Sequence, residues 1–285
     1  MSPEPLFTLA VPAAEARAAA AIIGAPFDLT ASFRRGSREG PLAIRRLSES
    51  LETFSPVLER DLEDVVIVDL GDVVPPGAGT QVALERIEEA FARALSQARI
   101  AVLLGGEHTV SLAGLRAVRR VHPDAALVQL DAHADLRAEW EGDAITHASW
   151  AHQAGLEIGF ENVFQFGIRS LAREETAAAG RVGWTSPELV LPDEVAARLR
   201  GRPVYLTIDI DVLDPGVAPG TGSPEPGGAT FRELAGFLYA LAELRVVAFD
   251  LVEVAPNLDP SEVTSAAAAK LIREGILLFG FGPDG

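Results

Sequence analysis

Two short clusters of acidic residues have the spacing expected of a metal site. Asp131, His133 and Asp135 alternate along the chain directly after an apolar run. Asp209 and Asp211 have the same alternate spacing after another apolar run. In a nearly extended segment, side chains at i, i+2 and i+4 point to one side, so each cluster would face a single space. Because crowded carboxylates repel one another unless a cation neutralises them, we expect a metal centre rather than solvated acids or helix caps.

A third cluster, Gly105-Gly106-Glu107-His108, adds a second imidazole after its own apolar run. Four aspartates and two histidines form a hard, oxygen-rich donor set that suits Mn²⁺ better than structural Zn²⁺. The chain has 0 cysteines, which excludes thiolate zinc sites, iron–sulfur centres, disulfide frameworks and a thiol nucleophile.

Six ligands are more than one catalytic ion uses, because such an ion keeps a position open for water or substrate. The donor set therefore predicts two ions, about 3.5 to 4 Å apart, that share carboxylates. A pair of this kind generates hydroxide at neutral pH, so the predicted chemistry is metal-assisted hydrolysis.

The elements that must position these clusters are predicted by short apolar runs separated by helical patterns. The runs are apolar throughout, as in strands that are covered on both faces. They are Ala20–Gly24, Val65–Leu70, Ile100–Leu104, Ala126–Leu130, Val163–Phe166, Val182–Trp184, Val204–Ile208 and Val246–Leu251. Among the helices, one begins after Thr80 as N-cap with Leu84, Ile87, Phe91 and Leu95 on one face, and others cover Ser111–Val121 and Glu233–Leu244.

This alternation predicts an α/β fold, a three-layer αβα domain with a mostly parallel sheet of about eight strands. No repeat or linker divides the sequence, so we expect one domain over residues 1–285. In an open parallel sheet, ligands bind outside the carboxyl ends of the strands. The three clusters, together with Glu253 after a fourth run, should therefore converge on one crevice.

The net charge of the sequence indicates which kinds of molecule the protein binds. The 285 residues include 24 Lys and Arg against 41 Asp and Glu, a formal net charge of −17. Such a balance argues against nucleic acid or an anionic membrane surface and favours a metal or a cationic ligand. The apolar stretch Ala18–Ala25 is too short to span a bilayer, and no leader pattern opens the sequence, so we expect a cytoplasmic protein.

The three clusters resemble the signatures of the ureohydrolases, the arginase/agmatinase family of binuclear manganese amidinohydrolases. The matching segments are Gly-Gly-Glu-His at 105–108, Asp-Ala-His-Ala-Asp at 131–135 and Asp-Ile-Asp-Val-Leu-Asp-Pro at 209–215. Further likeness lies in Gly24-Ala25-Pro26 through Arg35-Gly36, in Gly40-Pro41, in Ile44-Arg45 and in Glu253-Val254-Ala255-Pro256. The resemblance covers nearly the whole chain in the family's order, and it implies an arginase-like fold.

The resemblance also implies a ligand set for two Mn²⁺ ions. One ion would be held by His108, Asp131, Asp135 and Asp209, and the other by Asp131, His133, Asp209 and Asp211. The family usually has aspartate where this chain has Glu107. We interpret that residue as a neighbour of the ligands rather than a ligand itself.

Three residues take catalytic roles by the same resemblance. A bridging hydroxide would attack the guanidinium carbon to give urea and an amine, with Asp135 accepting the hydroxide's proton. His147 matches a loop histidine that shuttles protons and helps the amine depart. Glu253 matches an acid that pairs with the guanidinium. The structural alternatives are a solvated loop histidine for His147 and a capping or salt-bridging acid for Glu253.

The segments that choose the substrate resemble the agmatinase branch. Where arginases bind an α-carboxylate, this chain has Arg137 and Gly142–Ile145, so that binding set is absent. An acidic lip suits a small cationic guanidine such as agmatine, and Glu225 either meets its ammonium or serves only a structural turn. N1-aminopropylagmatine, which would give spermidine, stays open as a longer substrate. Guanidinobutyrate is disfavoured because it ends in a carboxylate, although Arg137 could in principle bind one.

Two other classes of protein would use part of this residue pattern. A zinc deacetylase of similar fold would bind a single ion and would not need all six ligands. A metal-stabilised scaffold without turnover would not need His147 and Glu253 beside the metals. Members of the family are commonly trimers or hexamers, so the resemblance implies a homo-oligomer.

Overall fold

A central parallel sheet organises the molecule. The computed structural model describes residues 5–12, 17–74, 77 and 79–281. Within these ranges, eight strands form one sheet in the order β4-β1-β5-β10-β9-β6-β7-β8, with each neighbouring pair parallel. A short antiparallel pair, β2 and β3, stands apart. The strands are β1 Ala18–Ala25, β2 Phe54–Ser55, β3 Arg60–Asp61, β4 Ile67–Asp72, β5 Ala98–Gly105, β6 Ala126–Leu130, β7 Val163–Phe166, β8 Trp184–Ser186, β9 Pro203–Asp209 and β10 Arg245–Val252.

Helices cover both faces of this sheet, which confirms the predicted three-layer αβα fold. On one face α2, α3 and α4 contribute to an apolar cluster, and on the other face α1, α6, α7 and α8 contribute to a second. The helices are α1 Gly40–Ser48, α2 Thr80–Gln97, α3 Val110–Val121, α4 Trp150–Ile158, α5 Thr176–Ala179, α6 Asp193–Leu199, α7 Phe231–Ala240 and α8 Val263–Phe279. Among the described residues, no helix is both long and apolar enough to cross a membrane.

The apolar character of the strands follows from this double cover. In β5, Ile100, Val102 and Leu104 belong to one apolar cluster, whereas Ala101 and Leu103 belong to the other. Alternate side chains point to opposite faces of a sheet, so a strand with helices on both faces must be apolar at every position.

Several predicted boundaries are wrong in detail, for example that of the strand predicted over Val65–Leu70, which is β4 over Ile67–Asp72. The helix expected after a Thr80 N-cap contains Thr80, and Gly79 is its N-cap. The helix expected over Glu233–Leu244 is α7, which starts at Phe231 because Thr230 and Glu233 form a capping box. The strand expected over Val182–Trp184 begins only at Trp184, where pairing with Phe164 of β7 starts.

The sheet order explains how the site is assembled. Strands β5, β10, β9 and β6 are consecutive neighbours, and their carboxyl ends lie at Gly105, Val252, Asp209 and Leu130. The segments that carry His108, Glu253, Asp211 and Asp131 follow directly. Because the four strands run in parallel, these segments emerge at one edge of the sheet.

Candidate active site

The His108 imidazole faces three carboxylates. Its Nδ1 lies 3.0 Å from an oxygen of Asp131, 3.2 Å from one of Asp209 and 3.4 Å from one of Asp135. The side chain is 1% exposed. Within the described residues, Nδ1 nevertheless has no hydrogen-bond partner. This buried nitrogen and the three oxygens around it have the chemistry of a metal donor set.

The opposite nitrogen of the same ring explains why Nδ1 can act as a donor atom to a metal. The Thr207 hydroxyl donates to the Asp250 carboxylate over 2.6 Å, so its oxygen is left to accept from His108 Nε2, 2.8 Å away. A neutral imidazole with its proton on Nε2 presents a lone pair at Nδ1. The arrangement therefore favours the tautomer that a metal ligand requires.

A second imidazole, that of His133, makes the other half of the centre. Its Nδ1 lies 2.9 Å from an oxygen of Asp211 and 3.8 Å from Asp131 Oδ1. Asp131 turns its two oxygens to the two histidines, Oδ2 to His108 and Oδ1 to His133. Two groups with ligand atoms close enough for an ion, His108-Asp131-Asp209 and Asp131-His133-Asp211, thus share one carboxylate.

The electrostatics of the centre call for added positive charge. Burial raises the pKa of Asp131, and the neighbouring Asp211 raises it further. Burial and the charge of Asp131 raise the pKa of Asp135 well above its ordinary value. Burial lowers the pKa of His133, but Asp211 and Asp131 outweigh it and raise that pKa to about 11. Divalent cations would supply the charge that protons otherwise provide, and the oxygen and imidazole donors fit such ions.

Backbone and side-chain donors fix the orientation of the carboxylates. Asp131 Oδ1 accepts from the His133 amide over 2.6 Å, and Oδ2 accepts from Gln129 Nε2 over 2.7 Å. Asp209 accepts from the Asp211 amide over 2.8 Å. These short-range bonds follow from the alternating spacing, because a carboxylate at i can reach the amide at i+2.

Trp150 joins the centre from the first turn of α4. Its indole nitrogen donates to Asp135 Oδ2 over 2.9 Å, and its ring stacks on His108 with centroids 4.4 Å apart. Sequence reasoning missed Trp150, Thr207 and Asp250. Thr207 and Asp250 lie inside runs interpreted as strand core, and Trp150 had only its place after the His147 loop as a signal.

Two of the site acids have left-handed backbone. The φ angles are 52° at Asp135 and 63° at Glu253. Side chains other than glycine adopt this region rarely, at a cost of about 1 to 3 kcal/mol each, and such residues cluster at functional sites. At Glu253, the amide donates to the Gly106 carbonyl over 2.8 Å and Oε1 accepts from the His108 amide over 2.8 Å.

The environment of Glu253 changes its acidity. Burial, together with the nearby charge of Glu107, raises the pKa of Glu253 to about 8. A cationic group placed beside the carboxylate would favour its charged form and so lower that pKa.

His147 approaches the centre from the loop between β6 and α4. Its amide donates to Thr30 Oγ1 over 3.0 Å, and Nε2 lies 3.0 Å from Ser32 Oγ. Burial lowers the pKa of His147 to about 4, so the ring is neutral near pH 7. In the part of the chain that the structure describes, Nδ1 has no hydrogen-bond partner.

One cavity brings most of the predicted residues together. Its lining includes His108, His133, Asp135, His147, Asp209, Asp211 and Glu253. Asp131 lies beneath, with 0% exposure. The lining also includes Ser32, Arg137, Trp140, Leu171, Glu175 and Ser223. Glu225 is not among the lining residues, and its backbone carbonyl accepts from Arg169 Nη2 over 2.8 Å.

Comparison with known proteins identifies the family. Residues 18–278 match the arginase family. The chain belongs to the arginase family. An agmatinase of Halalkalibacterium halodurans is 46% identical, covering 90% of this chain and 91% of the relative. A guanidinobutyrase of Pseudomonas aeruginosa is 33% identical over 90% of this chain and 84% of that protein.

Solved structures agree with this placement. The proclavaminate amidino hydrolase of Streptomyces clavuligerus superposes with a TM-score of 0.88 at 30% identity, covering 97% of both chains. Within the arginase family, the agmatinase relatives place this chain in the agmatinase branch. As a member, it is a metal-dependent hydrolase of a C–N bond in a guanidino group.

Proposed function

We propose that the protein releases urea from agmatine to give putrescine, or from an N-substituted agmatine such as N1-aminopropylagmatine to give spermidine. The observation that carries this proposal is the pair of imidazole–carboxylate groups that share Asp131 and open into the same cavity as Glu253. An acid beside a metal centre suits a guanidinium, whose planar N–H groups pair with a carboxylate.

We infer that the centre holds two Mn²⁺ ions. His108, Asp131, Asp135 and Asp209 would hold one, and Asp131, His133, Asp209 and Asp211 the other. When bound, such a pair lowers the pKa of a water so that a hydroxide nucleophile is available at neutral pH. The remaining chemistry belongs to side chains of the chain itself.

Glu253 would bind and orient the substrate. Its Oε1 is occupied by the His108 amide, which leaves Oε2 for a guanidinium N–H. The guanidinium charge would also keep the Glu253 carboxylate ionised, against the burial that otherwise raises its pKa. Glu253 would thereby hold the guanidinium carbon above the centre.

Asp135 and His147 would move the protons of the reaction. Water adds its oxygen to the guanidinium carbon, the C–N bond to the alkyl amine breaks, and urea and the amine leave. Both protons of the water would end on the departing nitrogen, which leaves as an ammonium. Asp135 would accept the first proton and pass it on. His147, whose ring is neutral near pH 7 and so has a lone pair that can accept, would relay the second.

Arg137 lines the cavity, but its charge does not oppose a substrate with a cationic tail. Arg137 is ion-paired with Glu174 and lies over the Trp140 ring at 4.5 Å, so much of its charge is already balanced. We propose that the ammonium of a longer substrate extends towards Glu225, which lies outside the lining but follows the lining residue Ser223 by two positions.

A comparison of substrates tests this proposal. The manganese-loaded protein is offered agmatine, N1-aminopropylagmatine, arginine and guanidinobutyrate in parallel, and urea release is measured. We expect the highest kcat/KM with one of the two agmatines. A preference for arginine would overturn the substrate class, and no urea from any of the four would overturn the reaction.

Guanidinobutyrate hydrolysis is the second candidate, because Arg137 lines the cavity and a guanidinobutyrase is among the relatives. If this acid were the best substrate, Arg137→Ala should raise its KM sharply and leave the KM for agmatine unchanged.

A further inference from the structure

A chain of hydrogen bonds links the turn after β5 to the loop that carries His147. It starts at Glu107, whose side chain is buried with 0% exposure. Glu107 Oε1 accepts from the Thr30 amide over 3.0 Å and from the Thr30 hydroxyl over 2.6 Å. One carboxylate oxygen thus accepts hydrogen bonds from both the amide and the hydroxyl of Thr30.

The direction of these bonds determines what Thr30 can do next. A hydroxyl has one proton, and that of Thr30 is donated to Glu107. The Thr30 oxygen is therefore an acceptor towards the His147 amide, which lies 3.0 Å away. Hydrogen bonds to a carboxylate are among the stronger ones in proteins, so this link is well determined.

The residues on either side of His147 are held within the loop, where Thr146 and Ser149 bond each other. The Thr30 contact links His147 itself to Glu107. Residues 141–144, just before His147, are exposed. The His147 ring bonds to Ser32, which is itself exposed. The Thr30 bond, by contrast, reaches back to a carboxylate buried next to His108.

The segment that carries Thr30 and Ser32 is itself fixed at its far end. Arg34 donates to the Thr221 carbonyl over 2.7 Å and to the Gly222 carbonyl over 3.1 Å. The segment that carries Thr30 is therefore fixed by hydrogen bonds. Because Thr30 bonds to both Glu107 and His147, the position of Glu107 determines where the His147 amide lies.

We propose that Glu107 and Thr30 are positioning residues that fix His147 over the metal centre. This inference rests on the proposed function, since it concerns the residue that we assign to proton transfer. It also accounts for the glutamate at position 107, because the longer side chain makes the contact with Thr30 from a buried backbone position.

Kinetics of Thr30 variants provide the first test. Thr30→Val keeps the shape of the side chain but removes the hydroxyl. We expect kcat to fall by about 10- to 100-fold, as for the misplacement of a catalytic group. KM should stay within about threefold, because Glu253 is untouched, and bound manganese should be unchanged by elemental analysis. Thr30→Ser restores the hydroxyl and should recover most of kcat.

Hydrogen–deuterium exchange of the holoenzyme provides a second readout that does not depend on turnover. The His147 amide loses its acceptor in Thr30→Val, so peptides that cover residues 143–149 should exchange faster than in the wild type. Thr176→Val is the control: it also replaces a threonine hydroxyl, but that hydroxyl is exposed and donates to the Arg173 carbonyl over 2.8 Å. Since the His147 amide donates to Thr30, the control should leave this exchange unchanged.

The outcomes separate the two proposals. A kcat within twofold of wild type in Thr30→Val would overturn the positioning role of Glu107 and Thr30, and so would a Thr30→Ser variant as impaired as Thr30→Val. Neither result would contradict the proposed reaction. Absence of urea from the wild type would overturn the proposed function, and the exchange experiment would still test whether Thr30 holds the His147 amide. Should Thr30→Val fail to fold, Glu107→Gln, which keeps the accepting oxygen, is compared with Glu107→Ala by the same measurements. Equal exchange in these two variants would overturn the inference.

Discussion

His108 and His133 reach the centre under different constraints. The His108 ring is held on one side by Thr207 and on its face by Trp150, and its side chain is 1% exposed. The His133 side chain is 28% exposed and contacts Asp211 and Asp131. Removal of the His133 ring should therefore change metal binding with little damage to the surrounding core.

Substitution of His133 and Glu253 should separate metal binding from catalysis. His133→Ala is expected to lose about one manganese per chain and nearly all urea release, because the second group of ligands loses its nitrogen. Glu253→Gln keeps an acceptor for the His108 amide, so it should retain two metals while kcat/KM falls by roughly 100-fold or more, the cost of a lost charged contact to substrate. Elemental analysis after dialysis and a urea assay measure both.

A histidine away from the cavity provides the control for these variants. His122, the C-cap of α3, is not among the cavity residues, and His122→Ala should leave metal and activity at wild-type levels. If His133→Ala still bound two ions, the assignment of the second ligand group would be wrong.

At the scale of elements, the sequence predicts the sheet and the ends of its strands well, because burial on two faces leaves a strong apolar signal. Strand β5 and the Gly105–His108 turn illustrate this, since composition and position alone place His108 at a carboxyl end. The supports of the site are less predictable. Thr207 and Asp250 lie more than 40 residues apart and meet only because β9 and β10 pair. Similarly, the left-handed backbone of Asp135 and Glu253 depends on tertiary contacts rather than on residue type.

In the Gly105-Gly106 turn, the backbone lies too close to Phe27 to admit a side chain at Gly106. A Cβ at Gly106 would lie 1.9 Å from the Phe27 carbonyl oxygen and 2.6 Å from its nitrogen. That close approach allows the Glu107 amide to donate to the Phe27 carbonyl over 2.8 Å. We expect Gly106→Ala to lower the free energy of unfolding by about 1 to 3 kcal/mol, as for other overpacked sites, and to reduce metal binding because His108 shifts. Denaturant unfolding and elemental analysis measure the two effects.

A matched glycine tests whether the loss is local. Gly236 lies in α7, and a Cβ there meets no heavy atom within 4 Å among the described residues. Gly236→Ala should be neutral or stabilise by up to about 1 kcal/mol through helix propensity. A Gly106→Ala variant as stable as Gly236→Ala would contradict the role given to the turn.

At the scale of the whole molecule, part of the net charge of −17 comes from carboxylates that folding buries. Asp131, Asp209 and Asp211 are each at most 3% exposed. Burying such groups without counter-charge is unfavourable, and two imidazoles supply at most two positive charges. Divalent ions in the centre should therefore stabilise the folded chain as a whole.

Metal binding should consequently raise the thermal midpoint of unfolding. An ion that binds only the folded state stabilises it by about 4 kcal/mol at a free concentration 1,000 times its Kd. At about 2 °C per kcal/mol for a chain of this size, one ion raises the Tm by roughly 8 °C, so with two ions we expect the Tm in excess Mn²⁺ to exceed that in EDTA by roughly 8 to 16 °C. Differential scanning calorimetry of wild type and His133→Ala measures this, and the shift should be smaller in the variant because one ligand group is incomplete. Equal Tm values with and without metal in the wild type would show that the buried carboxylates are balanced by protons alone.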